Sequence, residues 1–205
     1  MSLTFYTAPQ STATLTELVL AELGIPFERV VLDIRAKDTH KAEFAKLNPN
    51  HKVPVIVHDG TPIWESAAIT IYLGETFGAD KKLWPAPGPR RGDAMKWVVW
   101  SNVTLGDAVY RVGRNTGNWV PVDHQNAKAA EAAANEIQEL LGILDHELAG
   151  KPFLAGPDYS LADAHVNSFL DWLRHQKMDF SKFAHLNAWS TKCAARPAYQ
   201  KVNAH

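Results

Sequence analysis

Cysteine is nearly missing from this chain. Cys193 is the only one in 205 residues, which excludes an internal disulfide framework and any cysteine-based zinc site. Other metal signatures are missing as well: the nine histidines include no His-Glu-x-x-His run, and His124, His146, His165, His175 and His185 fall in separate segments, where surface or capping positions are expected for most of them. No metal is therefore expected, and no glycine-rich phosphate loop is present. Neither sign of charge dominates, since 21 Lys and Arg against 22 Asp and Glu leave a net charge of -1; this excludes a general attraction to nucleic acid or to anionic membranes. Apolar runs are short of the roughly 18 residues a membrane span needs. The opening Met1-Ser2-Leu3-Thr4-Phe5-Tyr6 has neither the basic region nor the apolar stretch of a signal peptide, so a soluble, cytoplasmic protein is expected.

What the chain does have is core material: 46% of it is hydrophobic, with seven Trp, and its length suits one domain or two small ones. Its first part alternates in period. Leu3 to Tyr6 reads as a strand, Thr12 to Leu23 as a helix ended by Gly24, and Phe27 to Leu32 as a second strand. A short polar helix or turn from Lys37 to Lys46 follows, then two strands around the Asp59-Gly60 turn, and an apolar helix from Ser66 to Phe77. This βαβ-ββα order predicts an α/β, thioredoxin-like domain with a mixed four-stranded sheet over residues 1–78. Pro85, Pro87 and Pro89 mark residues 79–92 as a linker. From Asp93 to the end only helical spacing is seen, at Asp93 to about Gly113, His124 to Leu148, Leu161 to Arg174, Phe183 to Ala195 and Pro197 to Val202, so residues 93–205 are expected to form an all-α bundle.

The densest chemistry lies between Asn48 and Ser66. Val53-Pro54 opens a strand, and such an edge can offer free backbone groups to a peptide. Eleven positions after Pro54, Glu65-Ser66 stands where a strand passes into a helix; the hydroxyl and the first helical amides can hold a carboxylate, and the acid can pair with an ammonium. The bland alternatives are an ordinary trans proline and a plain N-cap beside a helix dipole.

The order Asn48-Pro49-Asn50-His51-Lys52-Val53-Pro54-Val55-Ile56 followed by Trp64-Glu65-Ser66-Ala67-Ala68-Ile69 resembles the glutathione-binding half of the glutathione S-transferase superfamily. Asp33-Ile34-Arg35-Ala36-Lys37-Asp38-Thr39 resembles a run of its bacterial beta class, and Ser160-Leu161-Ala162-Asp163 resembles the capping box of its helical domain. The resemblance spans nearly the whole chain. It implies a cis Val53-Pro54 bond with the Val53 backbone pairing the cysteinyl part of glutathione, Glu65 on the γ-glutamyl ammonium, Ser66 on its carboxylate, and Lys37, Lys52 or His51 on the glycyl carboxylate. Asp163 is expected to be structural.

Glutathione chemistry needs thiolate, yet a free thiol of pKa about 8.5 is only a few per cent ionised at pH 7. A hydroxyl and a helix N-terminus can correct this, and the loop Thr7-Ala8-Pro9-Gln10-Ser11-Thr12-Ala13 is where the resemblance places such a group. Beta-class enzymes carry a cysteine there; this chain has Ser11 and Thr12 instead, similar to the hydroxyl strategy of the theta and zeta classes. The catalytic candidates are Ser11, then Thr12, then Tyr6. Tyr110, Arg111 and Arg114 are candidates for an electrophile site, with Trp97, Trp100, Trp119 and Trp172 as aromatic material and Asn102 and Thr104 at its border. The resemblance thus implies a homodimeric detoxification enzyme that takes reduced glutathione as co-substrate. The alternatives are a non-catalytic binding or regulatory protein of the same fold, or a glutathione-dependent isomerase, dehalogenase or peroxidase.

Overall fold

The computed structural model describes residues 2–9 and 11–204. Strand β1 (Leu3–Thr7), helix α1 (Ala13–Leu23) and strand β2 (Glu28–Val31) make the first unit, with β1 and β2 parallel. A parallel pair needs a crossover, and α1 supplies it. A 3-10 turn at Asp38–His40 and the short helix α2 (Ala42–Ala45) lead to strands β3 (Val55–His58) and β4 (Thr61–Trp64), an antiparallel hairpin. Asp59 and Gly60 both have positive φ, 46° and 81°, as the primed two-residue turn requires. The sheet order is β2-β1-β3-β4, mixed as expected.

Alternation along β1 sets the two faces of the sheet. Phe5 is fully buried in the core, while Tyr6 points the other way and meets Phe44 of α2 edge-on. Gly24 ends α1 in the left-handed region, where its N–H reaches the carbonyls of Leu20 and Ala21.

Helix α3 (Ser66–Leu73) runs into a π turn at Gly74–Gly78. Helix α4 (Pro89–Trp100) starts earlier than the expected Asp93, because a proline in the first turn lacks only an N–H that would have no helical partner. The single helix expected to about Gly113 is interrupted: a π segment at Ser101–Leu105 separates α4 from α5 (Gly106–Thr116). The rest is α6 (Ala127–Leu148), α7 (Leu161–His175), α8 (Ala184–Ala194) and α9 (Pro197–Val202).

Helix α7 is the hub, packed by α1, α3, α4 and α8, and one continuous apolar core runs from Phe5 and Ile56 to Leu170 and Trp189. The expected capping contact at its start exists in fuller form. The buried Asp163 carboxylate accepts from the Ser160 N–H and hydroxyl, both at 2.9 Å, and also from the Leu154 N–H at 2.9 Å and the Trp189 indole N–H at 2.8 Å. Beside the same helix start, next to Tyr159, Arg196 donates two parallel bonds of 2.7 Å to Glu22 of α1, tying the entry of α9 to the first helix.

Candidate functional site

A cleft of about 890 Å³ opens between the sheet edge and the helices, within the ~300–1,000 Å³ typical of small-molecule sites. Its walls bring together Ser11 and Thr12 from the loop before α1, Lys52, Val53 and Pro54 before β3, Glu65 and Ser66 at the start of α3, and Asn102 and Tyr110 from the helical half. Trp119, Phe169 and Trp172 supply an aromatic wall.

The Val53-Pro54 peptide is cis. Asn48, itself buried, shapes the approach: its Nδ2 donates to the Lys52 carbonyl at 2.7 Å and its Oδ1 accepts from the Asn50 N–H at 2.9 Å. Among the described residues, neither the N–H nor the C=O of Val53 has a hydrogen-bond partner. They are the free peptide groups that strand-like pairing to a ligand needs.

Glu65 holds φ 69°, in the left-handed region that favours glycine. A non-glycine residue there costs roughly 1–3 kcal/mol and persists only when its surroundings demand it. The strained residue sits directly before Ser66, whose hydroxyl and neighbouring amides open α3 with no preceding turn to accept from them. Among the described cleft residues Lys52 is the only cation and Glu65 the only carboxylate.

In the loop before α1, the two hydroxyls differ. Ser11 donates to the Ala8 carbonyl at 2.6 Å and accepts from the Ala13 N–H at 3.3 Å, so its hydroxyl is engaged within the loop. Thr12 is exposed on the cleft wall, and among the described residues its hydroxyl has no partner.

Behind Ser66 lies a polar chain that joins three elements. Asn102, in the π segment, approaches the Ser66 hydroxyl with Nδ2 at 2.6 Å; its Oδ1 is 2.6 Å from Nε2 of His165 on α7; and His165 Nδ1 is 2.8 Å from the Thr70 hydroxyl on α3. His165 and Thr70 are fully buried, and burial alone pushes the imidazole down to about 3, so it is neutral at ordinary pH.

Several sequence candidates lie elsewhere. Tyr6 packs on Phe44 and does not line the cleft. Lys37 is exposed at the start of the 3-10 turn with φ 59°, also off the wall. His51 gives its Nδ1 to the Thr39 carbonyl at 2.8 Å and stacks on His40. Arg111 is held by Asp107 at 2.8 Å and Glu136 at 2.7 Å, and Arg114 is exposed; neither reaches the wall, although Tyr110 does. Trp97 is core, and Thr104 is exposed away from the cleft. His165 departs from the surface or capping positions expected for most of the histidines: it is fully buried. The signal that could have found it is that His165 is flanked by Leu161, Ala162, Ala164 and Val166 in a segment whose one other polar residue, Asp163, is taken up by the cap.

Residues 1–75 match the family model "Glutathione S-transferase, N-terminal domain", and residues 116–197 match "Glutathione S-transferase, C-terminal domain". The chain is 31% identical over 187 residues to the glutathione S-transferase GstB of Escherichia coli, covering 90% of this chain and 89% of that protein. It is 30% identical over 217 residues to a glutathione S-transferase domain-containing protein of Dictyostelium discoideum, covering 97% and 80%. Among solved structures, a glutathione transferase of Phanerochaete chrysosporium in complex with oxidized glutathione superposes with a TM-score of 0.90 at 25% identity, over 98% of this chain and 94% of that one. The two domain families account for the sheet half and most of the helical half that enclose the cleft, and the chain belongs to the glutathione S-transferase family.

Proposed function

We propose that the protein is a glutathione transferase that binds reduced glutathione along the sheet side of the cleft and adds its thiolate to a small hydrophobic electrophile held against Tyr110, Trp119 and Trp172. The observation that carries this reading is the convergence, on one wall, of the Val53 backbone and the Thr12 hydroxyl, both unpartnered among the described residues, with the Glu65-Ser66 pair at the start of α3.

In this reading Val53 pairs with the cysteinyl backbone, Ser66 and the first amides of α3 hold the γ-glutamyl carboxylate, and Glu65 takes the ammonium. Lys52, on the wall, takes the glycyl carboxylate in place of Lys37. The Thr12 hydroxyl donates to the sulfur, with the N-terminus of α1 behind it. Stabilising the anion by about 2.7 kcal/mol lowers a thiol pKa by about two units, enough to make thiolate the main form near neutral pH. The sulfur then forms its bond to the electrophilic carbon while the leaving group departs with its electron pair, or the electrophile's double bond takes up the pair and a proton. Proximity of two molecules held in one cleft supplies the remaining advantage.

The working form in this reading is a cytoplasmic homodimer that uses no metal, and sedimentation should give twice the chain mass. Calorimetric titration of reduced glutathione into the wild-type protein and Ser66→Ala, each assayed with an aromatic halide, tests the whole. Saturable wild-type binding that weakens at least about tenfold in the variant, together with turnover, supports it. Binding without turnover of any electrophile would make the protein a glutathione-binding module instead, and absence of wild-type binding overturns both.

A further inference from the structure

The chain Thr70, His165, Asn102, Ser66 admits two directions of hydrogen bonding. Asn102 can give its amide N–H to Ser66 and accept from His165, or the assignment can be reversed so that Ser66 donates inward. A neutral imidazole carries one donor and one acceptor, so the choice at His165 decides all four residues. In the first direction Thr70 O–H donates to Nδ1, Nε2–H donates to Asn102 Oδ1, and Asn102 Nδ2–H donates to Ser66 Oγ. Every donor of the fully buried Thr70 and His165 side chains is then satisfied, and the Ser66 O–H is left for the cleft.

In the reverse direction Nδ1–H donates to Thr70, and the Thr70 O–H needs another acceptor. Among the described residues the Thr70 hydroxyl makes no hydrogen bond besides the one to His165, and Thr70 is fully buried. A buried donor left unmade costs about 1–3 kcal/mol. The reverse direction also consumes the Ser66 proton and turns only lone pairs toward the cleft, beside amides that call for an anion.

We propose that Thr70, His165 and Asn102 form a one-way relay that holds the Ser66 hydroxyl as a donor to an α-amino-acid carboxylate, making His165 and Asn102 positioning residues for the anionic end of the ligand. This rests on the cleft being a glutathione site, and it deepens that reading by stating which groups set the sense of the Ser66 bond. The π segment has a clear part in it: Asn102 sits within it, where the shift in helical register lets one side chain reach α3 and α7 together.

The relay predicts the tautomer of His165, which histidine 15N resonances of the wild-type protein report without any ligand. The expected result is a neutral Nε2–H imidazole unchanged between pH 5 and 8. An Nδ1–H tautomer, or protonation within that range, overturns the relay. A second measurement titrates reduced glutathione, and its analogue with the γ-glutamyl carboxylate amidated, into the wild type and Asn102→Asp. Aspartate accepts from both neighbours, so Ser66 turns inward; affinity for glutathione should fall at least about tenfold and the preference for carboxylate over amide should collapse. Unchanged affinity and preference overturn the relay. A wild type that binds no glutathione, yet shows the Nε2–H imidazole, overturns the ligand assignment and leaves the relay standing.

Discussion

At the scale of single residues, the chemistry turns on which side chains are free. Cys193 is not: it lies in the core on α8, and burial, with the nearby Asp163 carboxylate, pushes its thiol up, so it packs as a small apolar residue. Ser11 and Thr12 are adjacent in sequence and alike in chemistry, and only the folded loop separates them. The Ser11 proton is given to Ala8, which leaves Thr12 as the donor facing the cleft. Thr12→Val keeps the shape and removes the hydroxyl. It should raise the pKa of bound glutathione thiol by about one unit, the equivalent of about 1.4 kcal/mol, as read from thiolate absorbance against pH. Ser11→Ala should leave that pKa within a few tenths of a unit, and a larger shift in Ser11→Ala than in Thr12→Val would reverse the assignment. The sequence could name both hydroxyls as candidates, because the position is set by the strand–loop–helix pattern. It could not rank them, because the acceptor at Ala8 is a backbone carbonyl with no signature in residue type.

At the scale of elements, period and punctuation were legible and through-space clamps were not. The alternation of β1, the Asp59-Gly60 turn, the Gly24 stop and the Ser160-Asp163 cap are local, and each lies where the pattern predicts it. The π segment at Ser101–Leu105 has no such local mark, since its spacing reads as ordinary helix until α3 and α7 are placed against it. The proline-rich stretch before α4 also hides its main feature. Trp84 is buried there, bonded through its indole N–H to Glu75 at 2.8 Å, and its ring lies so close to Gly74 that a Cβ at Gly74 would come within 2.5 Å of it. A supposed spacer is therefore clamped: Arg91 holds the same Glu75 at 2.7 Å, and the Leu161 N–H donates to the Leu83 carbonyl at 2.9 Å. Gly74→Ala gains helix propensity in an isolated segment but must displace the indole. It should lower stability by about 1–3 kcal/mol in urea unfolding, with the transition midpoint shifted and its slope kept. A neutral or stabilising outcome would mean that Trp84 moves away freely and that the clamp is not a constraint.

At the scale of the whole molecule, the two halves meet through polar contacts as well as through the shared core. Glu22 with Arg196 ties α1 to α9, and the Ser66–Asn102–His165–Thr70 chain ties α3 to the π segment and to α7 directly behind the cleft. The second tie has a pH signature whose sign follows from burial. His165 is held at about 3 in the folded protein against an ordinary value of 6.5. Between those values the unfolded chain binds a proton there that the folded chain does not, so stability rises with pH through this window. The contribution is complete above about 6.5 and is lost as pH falls toward 3. At pH 5 the loss from this one site should be about 2 kcal/mol relative to neutral pH. Other carboxylates titrate in the same range, so the clean quantity is a difference: urea unfolding of the wild type and of His165→Gln at pH 7 and at pH 5. The wild type should lose about 2 kcal/mol more than the variant between the two conditions. Equal losses would mean that His165 takes up its proton in the folded state without penalty. The imidazole would then have to exchange its bond to Asn102 or to Thr70 for water, and the buried tie between the halves would be open at pH 5.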